Sequence, residues 1–450
     1  MGKACTIGIK VFENNGFLMR ISPNLYSELG FAQVLRSCLS YGTQKCFVGI
    51  ELSQDAGDNE IYLSQKAADY LHIPDYPDFE TELMGGELVF GPHIGIIAFN
   101  HDMYINYSYL KRALDFIPEY SLLHGSVIVF AVDKINQAKR LVEGYCYNPK
   151  SKLWFRGVFP YPRAIFLMLL LDADMKNHLL SAIGNTIFNN FFINKYEMHK
   201  ILSRNPDFVP LLPETILYNS KEDIFNMLDK HGTVYVKSIS GQCGKEVIRI
   251  SRNGDGKIYI GYRESYKNVD NYPEDLNEAG KLIEKLLTAG IFVIQQGINL
   301  MTYEGKAFDF RHMVQKDGSG RWASKGIIGR IAAPGSVVSN ISNGGKAMWA
   351  KELLKKSQNL SDEEANAVVD KMTSLGLSIC EELDRSGTLY GDLGIDIGID
   401  SDKKLWIIEI NSRGPDPAIA FFVNDRKLYK DLVSTPLLYA KYLAGFKSGN

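Results

Sequence analysis

The sequence lacks the residue patterns that mark disulfide-linked or zinc-binding proteins. Its 450 residues contain six cysteines and eight histidines, and none of these form a CxxC, HxH or HxxxH pair. Scattered cysteines in a chain of this size are typical of reduced thiols in the cytosol. We therefore expect a cytoplasmic protein with neither a disulfide framework nor a zinc site.

Long apolar segments and an excess of one charge are also missing. The most apolar run covers residues 164–171, whereas a membrane-spanning helix needs about 20 such residues. The start of the sequence lacks the apolar segment of an export signal. Lysine and arginine number 50 and aspartate and glutamate 52, so the formal charge is −2. Without a positive field to attract polyanions, we expect no membrane and no nucleic acid as partner.

The composition is that of an ordinary globular protein. Apolar residues make up 45% of the chain, aromatic residues 11% and charged residues 23%, which is enough to build buried cores. At about 150 residues per domain, the length predicts two to four domains. We find no internal repeat and no low-complexity segment.

Patterns along the chain predict three regions. Residues 1–95 contain short alternating or apolar segments separated by turn residues, which predicts a small β-rich module. Residues 96–190 alternate between strand and helix patterns, which predicts an α/β domain with a partly parallel sheet. In that domain we expect a helix at 134–140 and a buried central strand at 164–171. Residues 191–450 form the third region and carry most of the chemical signals.

A lysine followed by a glycine-bearing loop is the first of these signals. Lys237 ends the predicted strand 233–237, and Gly241 and Gly244 lie in the loop after it. Glycine lets a backbone approach phosphate groups closely, and lysine supplies a positive charge to them. The loop is not a Walker motif, because no GKS or GKT follows. On its own this order is common, and an ordinary strand-and-turn role stays open.

Two carboxylates and an amide at the end of the region form the sharpest signal. Asp396 lies in an apolar strand, and Glu409 and Asn411 lie two residues apart on the next strand, hence on one face. These are hard oxygen ligands of the kind that Mg²⁺ prefers. The alternative is a solvated face on an edge strand. That alternative is weak for Glu409, because its neighbours are apolar and a buried carboxylate needs a cation.

Two arginines complete the candidate site. Arg311 follows Asp309 by two residues, and Arg330 lies in the next predicted strand. Arginine guanidinium groups commonly bind carboxylates and transferring phosphoryl groups. The alternative for the first of them is a surface ion pair between Asp309 and Arg311.

The order of these features resembles the ATP-grasp ligases, in particular the branch with glutathione synthetase and the ribosomal-protein glutamate ligase. Within that superfamily the chain is similar to the YheC/YheD group, described as endospore coat-associated proteins of Bacillus and relatives. The motifs that carry the narrower resemblance are Gly91-Pro92-His93-Ile94-Gly95-Ile96-Ile97, Gly144-Tyr145, the stretch from Trp154 to Pro162, Asn194-Lys195-Tyr196 and Leu212-Pro213-Glu214-Thr215.

The resemblance implies an α+β protein with the ATP-grasp fold. In that fold two α/β subdomains hold a nucleotide between them, and here they would occupy residues 191–450. An α/β pre-ATP-grasp domain at 96–190 and the small β-rich module at 1–95 would precede them.

The resemblance also implies roles for individual residues. One set would bind ATP, through phosphate contacts, a loop that closes over the phosphates and an adenine hinge that offers backbone hydrogen bonds: Lys195, Lys237, Ser240, Gly241, Gly244, Gln296, Gly297 and Ile298. A second set would be catalytic and face the γ-phosphate and an acyl phosphate: Arg311 and Arg330. A third set would hold one or two Mg²⁺ ions: Asp396, Glu409 and Asn411.

The activity implied is that of an ATP- and Mg²⁺-dependent ligase joining a carboxylate to an amine or thiol through an acyl phosphate. The partners would be a small-molecule or peptide carboxylate, an acceptor amine or thiol, and spore coat proteins, with a link to sporulation and to the coat. A structural coat-associated protein with little or no turnover is the alternative, and a phosphotransferase of the same fold is a third hypothesis. No motif identifies the substrate.

Overall fold

Strands with alternating buried residues form a closed barrel at the start of the chain. The computed structural model describes residues 5–31, 34–241, 247–264, 267–287, 290–333, 345–412 and 414–446. The elements of the barrel are β1 (Cys5–Phe12), β2 (Leu18–Ile21), α1 (Pro23–Glu28), β3 (Arg36–Tyr41), β4 (Gln44–Leu52), β5 (Glu60–Ser64), α2 (Gln65–Leu71), β6 (Asp78–Met84) and β7 (Glu87–Gly91). The strand order is β1-β5-β2-β4-β3-β7-β6. Ile7 and Ile9 point inward while their neighbours are more exposed, as expected for period-two burial.

A mixed sheet follows the barrel. Its elements are β8 (His93–Ile97), α3 (Tyr107–Ala113), α4 (Tyr120–Leu123), β9 (Ser126–Asn136), β10 (Leu141–Asn148), β11 (Leu153–Pro160), β12 (Ala164–Leu167), α5 (Ala173–Ile183) and β13 (Ile187–Phe188). The order is β11-β10-β9-β8-β12-β13. Strands β9, β8, β12 and β13 pair in parallel, and β10 and β11 add antiparallel. The predicted partly parallel sheet is therefore confirmed.

Two local predictions in this sheet need correction. The helix expected at 134–140 is wrong, because β9 continues to Asn136 and the chain turns into β10 with Arg140 at a positive φ of 52°. Ile135 pairs with Val142 and packs on the core, so sheet pairing outweighs the local helical pattern. The predicted strand at 164–171 ends at Leu167, although it does lie buried between β8 and β13.

The barrel and the second sheet meet through a buried polar cluster. Strand β7 ends at Gly91 and β8 begins at His93, whose Nδ1 lies 3.1 Å from Tyr41 Oη and 2.7 Å from Ser126 Oγ. Burial lowers the pKa of His93 to about 3, so the ring is neutral and serves as a structural hydrogen-bonding group. The division of the chain into domains at 95/96 and 190/191 stays a prediction.

An antiparallel sheet covered by helices forms the third unit. Its elements are α6 (Lys195–Leu202), β14 (Thr215–Leu217), α7 (Lys221–His231), β15 (Thr233–Ser238), β16 (Val247–Arg252), β17 (Ile258–Glu264), β18 (Lys267–Asn271), α8 (Leu276–Leu286) and β19 (Phe292–Gln296). The order is β14-β19-β15-β16-β17-β18. Val234, Val236 and Ile294 pack against α7 and α8, which leaves the other face for polar side chains.

A second antiparallel sheet forms the fourth unit. Its elements are β20 (Thr302–Tyr303), β21 (Lys306–Lys316), β22 (Trp322–Ile331), β23 (Lys346–Trp349), α9 (Ala350–Gln358), α10 (Asp362–Arg385), β24 (Asp392–Ile399), β25 (Leu405–Asn411), α11 (Ile419–Phe422) and α12 (Arg426–Leu443). The order is β23-β22-β21-β24-β25. One face packs on α9 and α10 and forms the largest core.

Helix α10 begins at the predicted capping box and crosses this sheet closely. Ser361 Oγ accepts from the Glu364 N–H at 3.2 Å, and Glu364 accepts from the Ser361 N–H at 2.9 Å. Gly376 faces His312, where a Cβ atom would lie 2.1 Å from the imidazole Nδ1. The helix can therefore approach the strand only with glycine at this position.

In the described part of the chain, no helix combines the length and apolar character needed to cross a membrane.

The last helix joins the fourth unit to the first two. Lys441 is 1% exposed, donates to the Leu122 carbonyl at 2.9 Å and forms an ion pair with Glu80 of the barrel. Phe446 packs so closely on Gly91 that a Cβ there would lie 2.2 Å from its ring. The barrel and α12 therefore share buried contacts.

A buried acid–amide pair lies at the start of β24. Gln315 Nε2 donates to Asp392 Oδ1 at 2.9 Å, while Gln315 Oε1 is buried without a hydrogen-bond partner. Burial raises the pKa of Asp392 to about 7. A protonated Asp392 can donate to the unpartnered Gln315 oxygen, which would satisfy both side chains.

The pKa of Asp392 predicts a pH-dependent stability. Because the folded state keeps a proton that the unfolded state loses, the free energy of unfolding should fall as pH rises from about 4 to about 7. Asp392→Asn supplies a permanent donor to Gln315. We expect it to stabilise the protein at pH 8 by roughly 2–4 kcal/mol and to have little effect at pH 4.

Urea unfolding at both pH values measures this difference. Asp402→Asn, in an exposed turn, is the matched control and should change neither value. Equal effects of Asp392→Asn at pH 4 and pH 8 would contradict the protonation of Asp392.

Candidate functional site

A buried carboxylate shared by two arginines lies on the open face of the fourth sheet. Asp396 on β24 is paired across the ladder with Arg311 on β21. Arg311 donates to it through Nε at 2.5 Å and Nη2 at 3.2 Å, and Arg330 Nη2 lies 3.0 Å away. All three side chains are at most 12% exposed. Both guanidinium groups thus form an ion pair with the same carboxylate.

Asp309 completes this network from the neighbouring strand pair. It is the cross-strand partner of Arg330 and accepts two hydrogen bonds from it, at 2.8 Å and 2.7 Å. Asp309 and Arg311 are only 5% and 12% exposed, so the ion pair at the protein surface that was the alternative from the sequence is not formed. Cross-strand neighbours lie closer together than residues two apart on one strand, so Asp309 pairs across to Arg330 instead.

The charges in this network hold one another in the ionised state. Burial alone would raise the pKa of Asp396, but Arg311 and Arg330 hold it below its ordinary value. Burial would lower the pKa of Arg330, and Asp309 and Asp396 raise it instead. Both shifts favour the charged forms, so the network stays ionic at neutral pH.

The final hairpin brings the three predicted metal ligands together. Glu409 pairs with Asp396 across the hairpin, and Asn411 pairs with Gly394 two residues further along. Asn411 Nδ2 donates to Asp396 Oδ2 at 3.3 Å. A bulge after this point absorbs one residue of β25 and keeps Glu409 and Asn411 on the site face.

Lys195 connects this hairpin to the glycine loop of the third sheet. Its Nζ lies 3.3 Å from Glu409 Oε1 and donates to the Gly241 carbonyl at 2.7 Å. Lys195 is the first residue of α6, which Asn194 caps together with Glu197. Gly241 is thus part of this contact, and Ser240 directly precedes it in the chain. Gly244 lies outside the described residues.

Lys237 faces the same charges from the third sheet. Its Nζ donates to Gln295 Oε1 at 2.6 Å. Burial lowers the pKa of Lys237 to about 8, with Glu409 and Asp396 acting to raise it and Lys195 to lower it. A lysine with a pKa lowered in this way takes up a proton readily when an anion binds beside it.

The predicted hinge lies at the end of β19, beside a cavity. The Gln296 N–H donates to the Glu214 carbonyl at 2.8 Å and the Gly297 N–H to the Thr233 carbonyl at 2.8 Å. These two donors are thus engaged within the protein, and Ile298 follows directly. A cavity of about 370 Å³ adjoins the hinge, and its lining includes Gln296, Thr215, His199 and Trp406.

Counting charges indicates what this region can hold. It contains four cationic side chains and three carboxylates, namely Lys195, Lys237, Arg311, Arg330, Asp309, Asp396 and Glu409. The excess of one positive charge favours an anion with several oxygens, such as a phosphate group.

The donor atoms fit Mg²⁺ in type. Glu409 and Asn411 present carboxylate and amide oxygens, and Asp396 lies beside them. Both Asp396 oxygens accept from guanidinium groups, so Asp396 could ligate an ion only by sharing them. In the described residues no group of three or more His, Cys, Asp or Glu side chains is placed to hold a metal. The metal site stays a prediction.

Three residues that position the site were not identified as candidates from the sequence. Asp309 orients Arg330, and Gln295 orients Lys237. Asn189 accepts from the Gly391 N–H at 2.8 Å and donates to the Asp392 carbonyl at 2.8 Å, so it anchors the start of β24. Asp309 stood beside Arg311 and could have been identified. For the other two, no local pattern points to the contact.

Comparison with known proteins identifies the family. A family model described as YheC/D-like ATP-grasp matches residues 184–443, which is more than half of the chain. The chain belongs to the YheC/D-like ATP-grasp family. The resemblance stated from the sequence and the ATP-grasp fold are thereby confirmed.

Two relatives from Bacillus subtilis (strain 168) are similar over long stretches. The endospore coat-associated protein YheD is 27% identical over 372 residues, which cover 79% of this chain and 79% of YheD. The endospore coat-associated protein YheC is 26% identical over 242 residues, which cover 52% of this chain and 62% of YheC.

Solved structures with a general likeness include ATP-grasp ligases. The ATP-grasp ligase PsnB, complexed with a minimal precursor, Mg and ADP, is 13% identical with a TM-score of 0.42, covering 78% of this chain and 98% of PsnB. The D-alanine-D-alanine ligase from Coxiella burnetii is 11% identical with a TM-score of 0.42, covering 79% of this chain and 95% of that ligase. At these TM-scores the family assignment rests on the sequence match.

The shared carboxylate predicts a large effect of its removal on stability. Asp396→Asn leaves Arg311 without a carboxylate partner in the described network, and losing one member of a buried ion pair typically costs about 3 kcal/mol or more. We expect the free energy of unfolding to fall by roughly this amount at pH 7. Urea unfolding without added nucleotide or metal provides the measurement.

Asp402→Asn serves as the control for this measurement, since Asp402 lies in the exposed turn between β24 and β25. Phosphate should restore part of the stability lost in Asp396→Asn, because the variant has a larger cationic excess. A loss no greater than that of the control would be incompatible with a shared, buried Asp396.

Proposed function

We propose that this protein is an ATP- and Mg²⁺-dependent ligase that joins a carboxylate to an amine or a thiol through an acyl phosphate. The observation that carries the proposal is the convergence of Lys195, Lys237, Arg311 and Arg330 on three carboxylates in a member of an ATP-grasp family. Such an arrangement suits the charge of a transferring phosphoryl group.

In this proposal the nucleotide lies between the third and fourth sheets. Its phosphates contact Lys195 and Lys237, and the loop with Ser240, Gly241 and Gly244 covers them. The base lies against the hinge Gln296, Gly297 and Ile298. The cavity of about 370 Å³ beside Gln296 supports this placement, because it offers Trp406 as an apolar wall.

Arg311 and Arg330 are the proposed catalytic residues. A substrate carboxylate oxygen attacks the γ-phosphorus of ATP, the bond to the β-phosphate oxygen breaks, and ADP and an acyl phosphate form. The amine or thiol of the acceptor then attacks the acyl carbon, loses its proton and expels phosphate. The arginines bind the oxygens of the transferring phosphoryl group, while Asp396 and Asp309 hold the guanidiniums in place.

Asp396, Glu409 and Asn411 would hold one or two Mg²⁺ ions. When bound, Mg²⁺ supplies charge neutralisation and orientation to the phosphate oxygens. The chain's own part is to position these oxygens. This mechanism requires no nucleophilic side chain of the protein.

A structural role at the spore coat is the second candidate. It is favoured by the names of both relatives, which are described as endospore coat-associated. Coat proteins would then be partners, and the protein would act during sporulation, either in the cytoplasm or at the coat. The buried network around Asp396 argues for turnover, because a chain without catalysis gains nothing from charges that are costly to bury.

Nucleotide binding should depend on the Lys237 charge. In the protein without nucleotide the pKa of Lys237 is about 8, so this side chain is neutral in most molecules at pH 8.5. The phosphates of bound ADP should restore its positive charge. We expect the binding of ADP with Mg²⁺ at pH 8.5 to take up most of one proton. Calorimetry in two buffers of different ionisation enthalpy measures this uptake.

Lys237→Met should bind ADP at least about tenfold more weakly and take up no proton. Lys257→Met, at an exposed lysine in the turn before β17, is the control and should behave as wild type. Equal ADP affinity of Lys237→Met and wild type would remove Lys237 from the nucleotide site.

Turnover should depend on the Glu409 charge. Glu409→Gln keeps the size and the hydrogen-bonding atoms of the side chain, so folding and ADP binding should persist. Losing one electrostatic group at the reacting phosphates should lower turnover by about a hundredfold. The assay is phosphate release from slow uncoupled ATP hydrolysis, with Asp402→Asn as the unaffected control.

Unchanged hydrolysis in Glu409→Gln would reject the proposed metal site. If wild type releases no phosphate with any carboxylate and amine tried, the structural role at the coat becomes the better proposal.

A further inference from the structure

The face of the third sheet that carries Lys237 extends well beyond it. Helices α7 and α8 cover the opposite face, where Val234, Val236 and Ile250 are buried. Side chains alternate along strands, so Tyr235 and Arg249 lie on the same face as Lys237. They follow one another outward across the sheet, because Tyr235 pairs with Arg249 on β16 and Arg249 pairs with Gly261 on β17.

Arg249 lies between two tyrosine rings on this face. Its guanidinium carbon is 5.7 Å from the centre of the Tyr259 ring, and its charge also acts on Tyr235. Its Nε atom is buried and has no hydrogen-bond partner. Among the residues that the structure describes, Arg249 forms no ion pair with a carboxylate.

Glycine at the neighbouring position makes this arrangement possible. A Cβ atom on Gly261 would lie 2.2 Å from Tyr259 Oη, so only glycine lets the Tyr259 ring fold beside Arg249. The Tyr259 hydroxyl donates to Asp270 Oδ1 at 2.6 Å. The nearby acid is thus used by the tyrosine, and the guanidinium keeps its charge for another partner.

Three other arginines of these two sheets form ion pairs with carboxylates. Arg252, three residues along the same strand and on its other face, lies 2.7 Å from Asp229. Arg311 and Arg330 share Asp396. A partly buried guanidinium without an anion is costly, and an incoming carboxylate would recover that cost through charge-assisted hydrogen bonds.

We propose that Arg249, flanked by Tyr235 and Tyr259, binds a carboxylate of the substrate other than the reacting one, and that the substrate is an acidic peptide. This inference rests on the proposed ligase function for the reaction itself. The ring centres of Tyr272 and Tyr259 are 5.5 Å apart, and Tyr272 is 64% exposed. The aromatic surface therefore continues outward from Arg249. A surface of this length suits an extended chain better than a small molecule.

Arg249 is placed to bind substrate rather than nucleotide. Lys237, on the neighbouring strand β15, is the residue whose charge interacts with those of Glu409 and Asp396. Tyr235 lies on that same strand, two residues before Lys237, and is the cross-strand neighbour of Arg249. The phosphate-binding cations and Arg249 therefore form separate positions on one face.

The test uses fluorescein-labelled hexaglutamate as the probe and hexaglutamine as its neutral counterpart. Fluorescence anisotropy at low salt measures their binding to the full chain with saturating ADP and Mg²⁺, and calorimetry measures ADP binding separately. The variants are Arg249→Leu and the matched control Arg252→Leu. Arg249→Gln replaces the first variant if thermal unfolding indicates that Arg249→Leu does not fold.

We expect wild type to bind hexaglutamate and not hexaglutamine. Arg249→Leu should weaken hexaglutamate binding about tenfold, with Arg252→Leu unchanged and ADP affinity equal in all three proteins. Three results would overturn the inference: no binding of hexaglutamate to wild type, equal binding by the two variants, or a parallel loss of ADP affinity in Arg249→Leu. If wild type binds no ADP, the proposed function fails, and hexaglutamate binding repeated without nucleotide decides the inference by the same criteria.

Discussion

The charged network centred on Asp396 constrains the whole C-terminal half of the protein. Four buried side chains on three adjacent strands satisfy one another through two guanidinium groups and two carboxylates. Such a network is stable only if every member is in place, because a single unpaired charge in this setting costs several kcal/mol. A register slip of one residue on β24 would turn Asp396 toward the apolar core and leave Arg311 alone. The pairing of β21, β22 and β24 is therefore tied to the chemistry of the site.

The same network explains why the region favours anions. Together with Glu409, its carboxylates balance three of the four cations of the site, and the remaining positive charge lies near Lys237, whose pKa is lowered by burial. An incoming polyphosphate would find cations already oriented by Asp309, Asp396 and Gln295. Preorganised charges lower the cost of reorganisation during reaction, so the side chains that hold the cations matter as much as the cations themselves.

Contacts far from the site place its strands. Asn189 binds the backbone at Gly391 and Asp392, where β24 begins, and Lys441 ties α12 to the barrel and to α4. These are buried polar contacts between segments separated by 200 residues or more along the chain. They indicate that contacts with the barrel and the second sheet hold the fourth unit in position.

The sequence alone determined which face of a strand some site residues occupy and where one long helix begins. Period-two spacing placed Glu409 and Asn411 on one face, and the Ser361 capping box marked the start of α10. The family followed from the order of motifs. Tertiary structure decided the partners: Arg330 for Asp309, Gln295 for Lys237, and a strand where a helix was predicted at 134–140. Local patterns report which side of an element a residue occupies, but a partner across the sheet depends on strand order and register, which arise from packing between distant segments.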